Sequence, residues 1–126
     1  MKKLAKKILI IEDEVSLLQA LVDKFKIEKF LVISAKNGQD GLELAKEEKP
    51  DLILLDIIMP ITDGINMLEQ LRQDQWGKEV PVIILTNLND IKKTSEAMAS
   101  GVHDYLLKTD WKLDDVVKKV KERLKD

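Results

Sequence analysis

Asp51-Leu52-Ile53-Leu54-Leu55-Asp56 decides how this chain is read. Four large aliphatics stand in a row and end in a carboxylate. A strand with one wet face alternates apolar and polar residues, whereas an unbroken apolar run fits a strand buried on both faces. Asp56 then stands where the strand leaves the core. Taken alone, that carboxylate is explained equally well as a strand end or a helix cap.

Four similar runs flank this one at near-regular spacing: Ile8–Ile11, Leu31–Ile33, Val82–Leu85 and Tyr105–Leu107. Helical patterns separate them. The first helix is expected over Glu14–Lys26, with Val15, Leu18, Leu21, Val22 and Phe25 on one face. The second is expected over Gly41–Lys49 and stops at Pro50, which a helix interior would not tolerate. The third starts near Gly64 and uses Ile65, Leu68 and Leu71. The fourth, Asp90–Ser100, has a thin apolar stripe of Ile91 and Met98, with Gly101 as its stop. The fifth, Lys112–Lys125, carries Leu113, Val116, Val117, Val120 and Leu124. Strand and helix alternating through five units predict a doubly wound (βα)5 α/β sandwich, its parallel sheet covered on both faces. The common five-strand order is 2-1-3-4-5, and ligands then bind beyond the carboxyl ends of the strands.

Composition narrows the chemistry. The chain has 126 residues and reads as one domain over 1–126, long enough to bury a core. A net charge of −2 gives no electrostatic case for nucleic acid or an acidic membrane. Without cysteine, disulfides and thiol catalysis are excluded, and a reducing cytoplasmic setting is compatible. The basic start, Met1 to Lys7, precedes an apolar run too short for a signal peptide or a membrane span.

The strand ends carry the functional content. Strand 1 runs into Glu12-Asp13-Glu14, strand 3 into Asp56, strand 4 into Thr86-Asn87 and strand 5 into Lys108. Three carboxylates at the edge of a dry core repel one another unless a cation intervenes. A hard ion with oxygen ligands resolves this, and Mg²⁺ suits a few carboxylates plus water and phosphate oxygens. Lys108 adds positive charge, and the Thr86 hydroxyl can bond an oxyanion. This inventory suits a carboxylate nucleophile that becomes an aspartyl phosphate. The glycine-rich nucleotide-binding loops are missing after strand 1. The less specific readings are that Glu12, Asp13 and Glu14 only cap the first helix, that Lys108 is solvated, and that Tyr105 is a rim aromatic. His103 reads as a surface residue, and Trp76 and Trp111 as packing or partner residues.

The whole chain resembles the receiver domain of two-component response regulators, of the chemotaxis-regulator type. Ile8-Leu-Ile-Ile-Glu-Asp-Glu14 looks like the family's acidic-pair motif. Leu55-Asp56-Ile-Ile-Met59-Pro60 with Asp63-Gly64 looks like its phosphoacceptor loop, Leu85-Thr86 like its switch hydroxyl, and Tyr105-Leu-Leu-Lys108 like its switch aromatic and lysine. The fold implied is flavodoxin-like, and the family is itself a known instance of the 2-1-3-4-5 order, so the two expectations are one.

The resemblance further implies that Asp56 accepts phosphate from a histidine kinase or phosphotransfer protein. Mg²⁺ would be held by Asp13, Asp56 and the Ile58 carbonyl, with Glu12 acting through water. Thr86 and Lys108 would engage the phosphoryl oxygens. Tyr105 would turn inward and change the face made by the fourth helix, fifth strand and fifth helix, for an output protein or a self-dimer. Lys118, Lys119, Lys121 and Arg123 could bridge such a dimer toward Asp104, with solvated charge as the plainer account.

The chain departs from the family at several points. Thr109 replaces the usual cis-proline after Lys108, and a cis bond before threonine costs about 3–4 kcal/mol, so a trans peptide is expected. Asn87 stands where a small residue is usual. Ile58 and Leu88 stand near the acceptor, which implies a shielded acyl phosphate and slow self-dephosphorylation. Two rivals are a metal-dependent phosphatase on a related sheet, which would want an acid where Ile58 stands, and a pseudo-receiver that only binds.

Overall fold

The computed structural model of the chain describes residues 5–56, 64–86, 104–107 and 112–124, the side chains of Ile65, Thr86 and residues 104–107 excepted. Five strands are present among the described residues: β1 (Lys7–Ile11), β2 (Leu31–Ala35), β3 (Leu52–Asp56), β4 (Val82–Thr86) and β5 (Asp104–Leu107). They pair in parallel in the order β2-β1-β3-β4-β5. The helices among the described residues are α1 (Val15–Ile27), α2 (Gly38–Glu48), α3 (Gly64–Gln73) and a last helix, Leu113–Arg123. The α/β class with a parallel sheet is the one expected. The expected fourth helix, Asp90–Ser100, lies outside the described residues.

Strand pleating explains the unbroken apolar runs. Successive side chains point to opposite faces. Leu9, Ile11, Ile53, Leu55, Val82 and Ile84 join Leu42 and Ala45 of α2 and Met67, Leu68 and Leu71 of α3 in one core. Ile8, Ile10, Leu52, Leu54, Ile83 and Leu85 join Leu18, Leu21 and Phe25 of α1 and Val116, Val117 and Val120 of the last helix in the other. β1, β3 and β4 thus each feed two cores, and each fully buried aliphatic contributes about 1.5–3 kcal/mol. β2, at the sheet edge, is only half covered, and Leu31 is 54% exposed.

Several boundaries differ from the sequence reading. α2 begins at Gly38, three residues earlier than expected, because the Asn37 side chain accepts the Asp40 N–H at 2.8 Å and caps it. Gly41, read as the start, lies inside the helix. A Cβ there would run into the Ile11 side chain, so the glycine lets α2 lie close on β1. α2 ends at Lys49 in the left-handed conformation, ahead of Pro50. Val15 is not on the buried stripe of α1 but 60% exposed. Met67, omitted from the predicted stripe of α3, is fully buried.

α1 and the last helix are also tied electrostatically. Lys24 Nζ lies 2.7 Å from Asp114 Oδ1, and Lys121 Nζ 2.7 Å from Glu28 Oε1. The Lys121 contact holds the Glu28 carboxyl below its ordinary value, and the Lys24 contact does the same to Asp114. Asp114 in turn raises Lys24. These groups are solvated, so each pair contributes little. Their stabilisation is fully present above the ordinary carboxyl values of 4.5 and 3.8 and is lost as pH falls through the lowered folded values. A Lys24→Met, Lys121→Met double variant is therefore expected to melt slightly below wild type at pH 7. The two melting curves should converge as pH is lowered below the ordinary carboxyl values. Thermal unfolding followed across that range checks this, and a gap that persists into acid would refute it.

Candidate functional site

β1 and β3 bring two carboxylates out of the core side by side. Ile11 pairs with Leu55, so Glu12 and Asp56 are the next residues of the adjacent strands. The Glu12 N–H donates to the Ala35 carbonyl at 3.1 Å, extending the ladder toward β2. Glu12 is fully buried and Asp56 is 3% exposed; they are the buried charged side chains among the described residues. Asp13 is exposed and follows at once in the turn to α1. One carboxylate oxygen from each of Glu12, Asp13 and Asp56 lies within 4.8 Å of the others.

Local hydrogen bonding sharpens the geometry. Glu14 is the N-cap residue of α1, yet its side chain makes no cap bond. Glu12 Oε2 instead accepts the Glu14 N–H at 3.0 Å. Helix capping therefore accounts for part of what Glu12 does, but not for the convergence of Asp13 and Asp56. Sequence reading missed this bond. Its only signal is an acid two residues before a helix N-cap.

Among the described residues the donor set is hard and all oxygen. Carboxylates this close, two of them out of water, favour a cation between them, and the set fits Mg²⁺ better than a thiophilic metal. An oxygen of Asp56 at such an edge could also attack an electrophile approaching from the solvent side.

The other expected site residues are placed in part. Thr86 is the final residue of β4, one position past Leu85, the partner of Asp56; Leu107 of β5 is its own neighbour. Tyr105 pairs with Ile84 within β5. Ile58, Lys108, Asn87, Leu88, His103, Thr109 and Trp111 lie outside the described residues. Trp76 is half-buried and packs on the α2–α3 core. Lys121 faces α1, where Glu28 binds it, and Lys118 lines the same groove with Glu28 and Asp114. At 100° per residue, Lys119 and Arg123 leave the helix on the opposite flank. Only those two of the four basic residues thus project from the flank away from α1.

In parallel α/β sheets ligands bind beyond the carboxyl ends of the strands, where this acidic, oxygen-rich edge stands. The model of the response regulator receiver domain family matches residues 8–121. The chain belongs to this family. It is 35% identical to Protein PilH of Pseudomonas aeruginosa over 102 residues, 81% of this chain and 84% of that protein. It is 34% identical to the DNA-binding dual master transcriptional regulator RpaA of Synechocystis over 102 residues, 81% of this chain and 42% of that protein. The chain spans about two-fifths of the length of such transcription-regulator relatives. The receiver domain of Francisella response regulator 1452 superposes with a TM-score of 0.82 at 31% identity, over 93% of this chain and 94% of that one. The chain thus belongs to two-component signalling as a response regulator receiver domain, and the phosphatase alternative is not favoured.

Proposed function

We propose that this chain is a phosphorylation-dependent switch in which Asp56 is the phosphoacceptor. The carrying observation is the convergence of Glu12, Asp13 and Asp56 within 4.8 Å at the carboxyl edge of the sheet. An Asp56 oxygen attacks the phosphorus of a phosphohistidine on a kinase or phosphotransfer protein. The P–N bond breaks, and the donor imidazole keeps the electron pair and takes a proton. Asp13 and Asp56, with the Ile58 carbonyl and Glu12 through water, would hold Mg²⁺. That ion, when bound, supplies charge neutralisation for the transferring group. Thr86 and Lys108 are read, by family likeness, as partners of the phosphoryl oxygens, and Tyr105 as the residue that follows Thr86 inward.

The chemistry is self-directed, and the chain acts as a signalling element rather than a metabolic enzyme. We read residues 90–100 as the fourth helix, completing the (βα)5 layout of one receiver domain. Its face with β5 and the last helix is the output surface, for a partner protein or a second copy. No direct nucleic-acid contact is assigned to this chain, and its setting is cytoplasmic. No helix among the described residues is long and apolar enough to cross a membrane.

Intact mass after incubation with acetyl phosphate and Mg²⁺ tests the reading. One added phosphoryl group is expected, with none when the metal is chelated. No adduct despite bound metal would overturn the switch and favour a binding-only module. Turnover of a small phosphate ester in trans would favour a phosphatase.

A further inference from the structure

We propose that Glu12 is a positioning residue for the metal site, acting through the backbone of Glu14 as well as through its charge. The inference rests on the reading of the acidic edge as a Mg²⁺ site. Glu12 is anchored twice. Its backbone N–H donates to Ala35 at 3.1 Å, and its Oε2 accepts the Glu14 N–H at 3.0 Å. Asp13, the exposed member of the cluster, is the single residue between those anchors. Glu14 is itself fixed to the rigid helix, its carbonyl accepting the Leu18 N–H at 2.9 Å. The Glu12 carboxylate therefore ties the first turn of α1 to the end of β1, and the tie spans Asp13.

A carboxylate that served only to balance a cation would not need this bond. Both its oxygens could face the ion, and the Glu14 N–H could be left to solvent or to a side-chain cap. Instead one oxygen is spent on the turn. With both flanks of Asp13 held, its carboxylate is presented to Asp56 without a large loss of backbone freedom on binding, which is how preorganisation raises affinity.

Two variants separate the roles. Glu12→Gln and Glu12→Met both remove the charge and keep the side-chain length, so neither opens a cavity. Only glutamine retains an oxygen for the Glu14 N–H. Amide hydrogen exchange of Glu14 in the metal-free protein reads the bond directly. Calorimetric titration with Mg²⁺ reads its consequence. Protection of the Glu14 amide should survive in wild type and Glu12→Gln and fall about tenfold in Glu12→Met. Mg²⁺ should bind Glu12→Met about tenfold more weakly than Glu12→Gln. Equal affinities in the two variants, or an unchanged Glu14 amide in Glu12→Met, would overturn the positioning role. A wild-type chain that binds no Mg²⁺ would overturn the metal reading beneath it, a result the paired variants cannot mimic.

Discussion

Replacing Asp56 with asparagine is expected to raise the melting temperature of the metal-free chain by about 5 °C while abolishing the phosphoryl adduct. Asparagine keeps the shape of the side chain and one acceptor oxygen but loses the nucleophile and the charge. That charge is costly where it stands. Asp56 is 3% exposed, and oxygens of two further carboxylates lie within 4.8 Å. At that separation and an effective dielectric near 20, each like-charge pair costs on the order of 3 kcal/mol. Relief of even part of one pair gives a net gain of about 1–2 kcal/mol, which corresponds to several degrees for a chain of this size. The sign should invert with metal. Mg²⁺ at a hundred times its dissociation constant stabilises the wild type by about 2.7 kcal/mol, and Asp56→Asn forfeits most of that. Calorimetric melting in EDTA and in Mg²⁺ measures both. A variant that melts below wild type in EDTA would mean that repulsion is not the dominant cost at this site. Strain of this kind, stored at a functional edge and released by a ligand, is where a stabilising substitution is expected to cost function.

The sheet was legible because its signals are long-range and redundant. Five apolar runs, three of them too continuous for a one-sided strand, admit few arrangements, and the pleat then assigns Ile8 and Ile10 to one core and Leu9 and Ile11 to the other. Helix edges were less legible because they turn on single side chains. Nothing in periodicity marks Asn37 as the cap that starts α2 early, and Gly41 looks like a boundary until its contact with Ile11 is known. Val15 fits the apolar stripe of α1 by spacing, yet its place in the first turn leaves it mostly in solvent. At the site, residue types predicted the convergence of Glu12, Asp13 and Asp56, since register alone carries Glu12 alongside Asp56. The Oε2 bond to Glu14 was not legible, because a carboxylate's two oxygens are equivalent in sequence and are told apart only by the groups they meet. Likewise, four basic residues on the last helix look equivalent until Glu28 claims Lys121 for the α1 side.

Phe25→Ala should produce the largest loss of stability, about 3–5 kcal/mol, with the Mg²⁺ site intact. Phe25 is fully buried near the end of α1, in the core that holds Ile8, Ile10, Leu52 and Leu54. Its ring meets Phe30 edge to face, with centroids 5.4 Å apart and planes at 69°. The Phe25 carbonyl also accepts the Phe30 N–H at 3.0 Å, so the backbone holds the second ring in place after the first is cut away. The core that is left also holds strand residues locked in a parallel ladder, which limits collapse of the cavity. That argues for the upper half of the range. Since total stability for such domains is about 5–15 kcal/mol, the variant should remain folded at 25 °C but melt more than 10 °C lower. Phe30 is only half-buried, so Phe30→Ala should cost less, and a double-mutant cycle should return a coupling of about 0.5–1.5 kcal/mol for the ring pair. Glu12 and Asp13 lie at the opposite end of α1, so Mg²⁺ affinity of the folded fraction should match wild type. Urea unfolding with an unchanged m-value, read beside Mg²⁺ titration, separates the two effects. A loss below about 1.5 kcal/mol would mean that the core around Phe25 repacks freely; a parallel loss of metal affinity would mean that the far end of α1 helps to set the acidic turn.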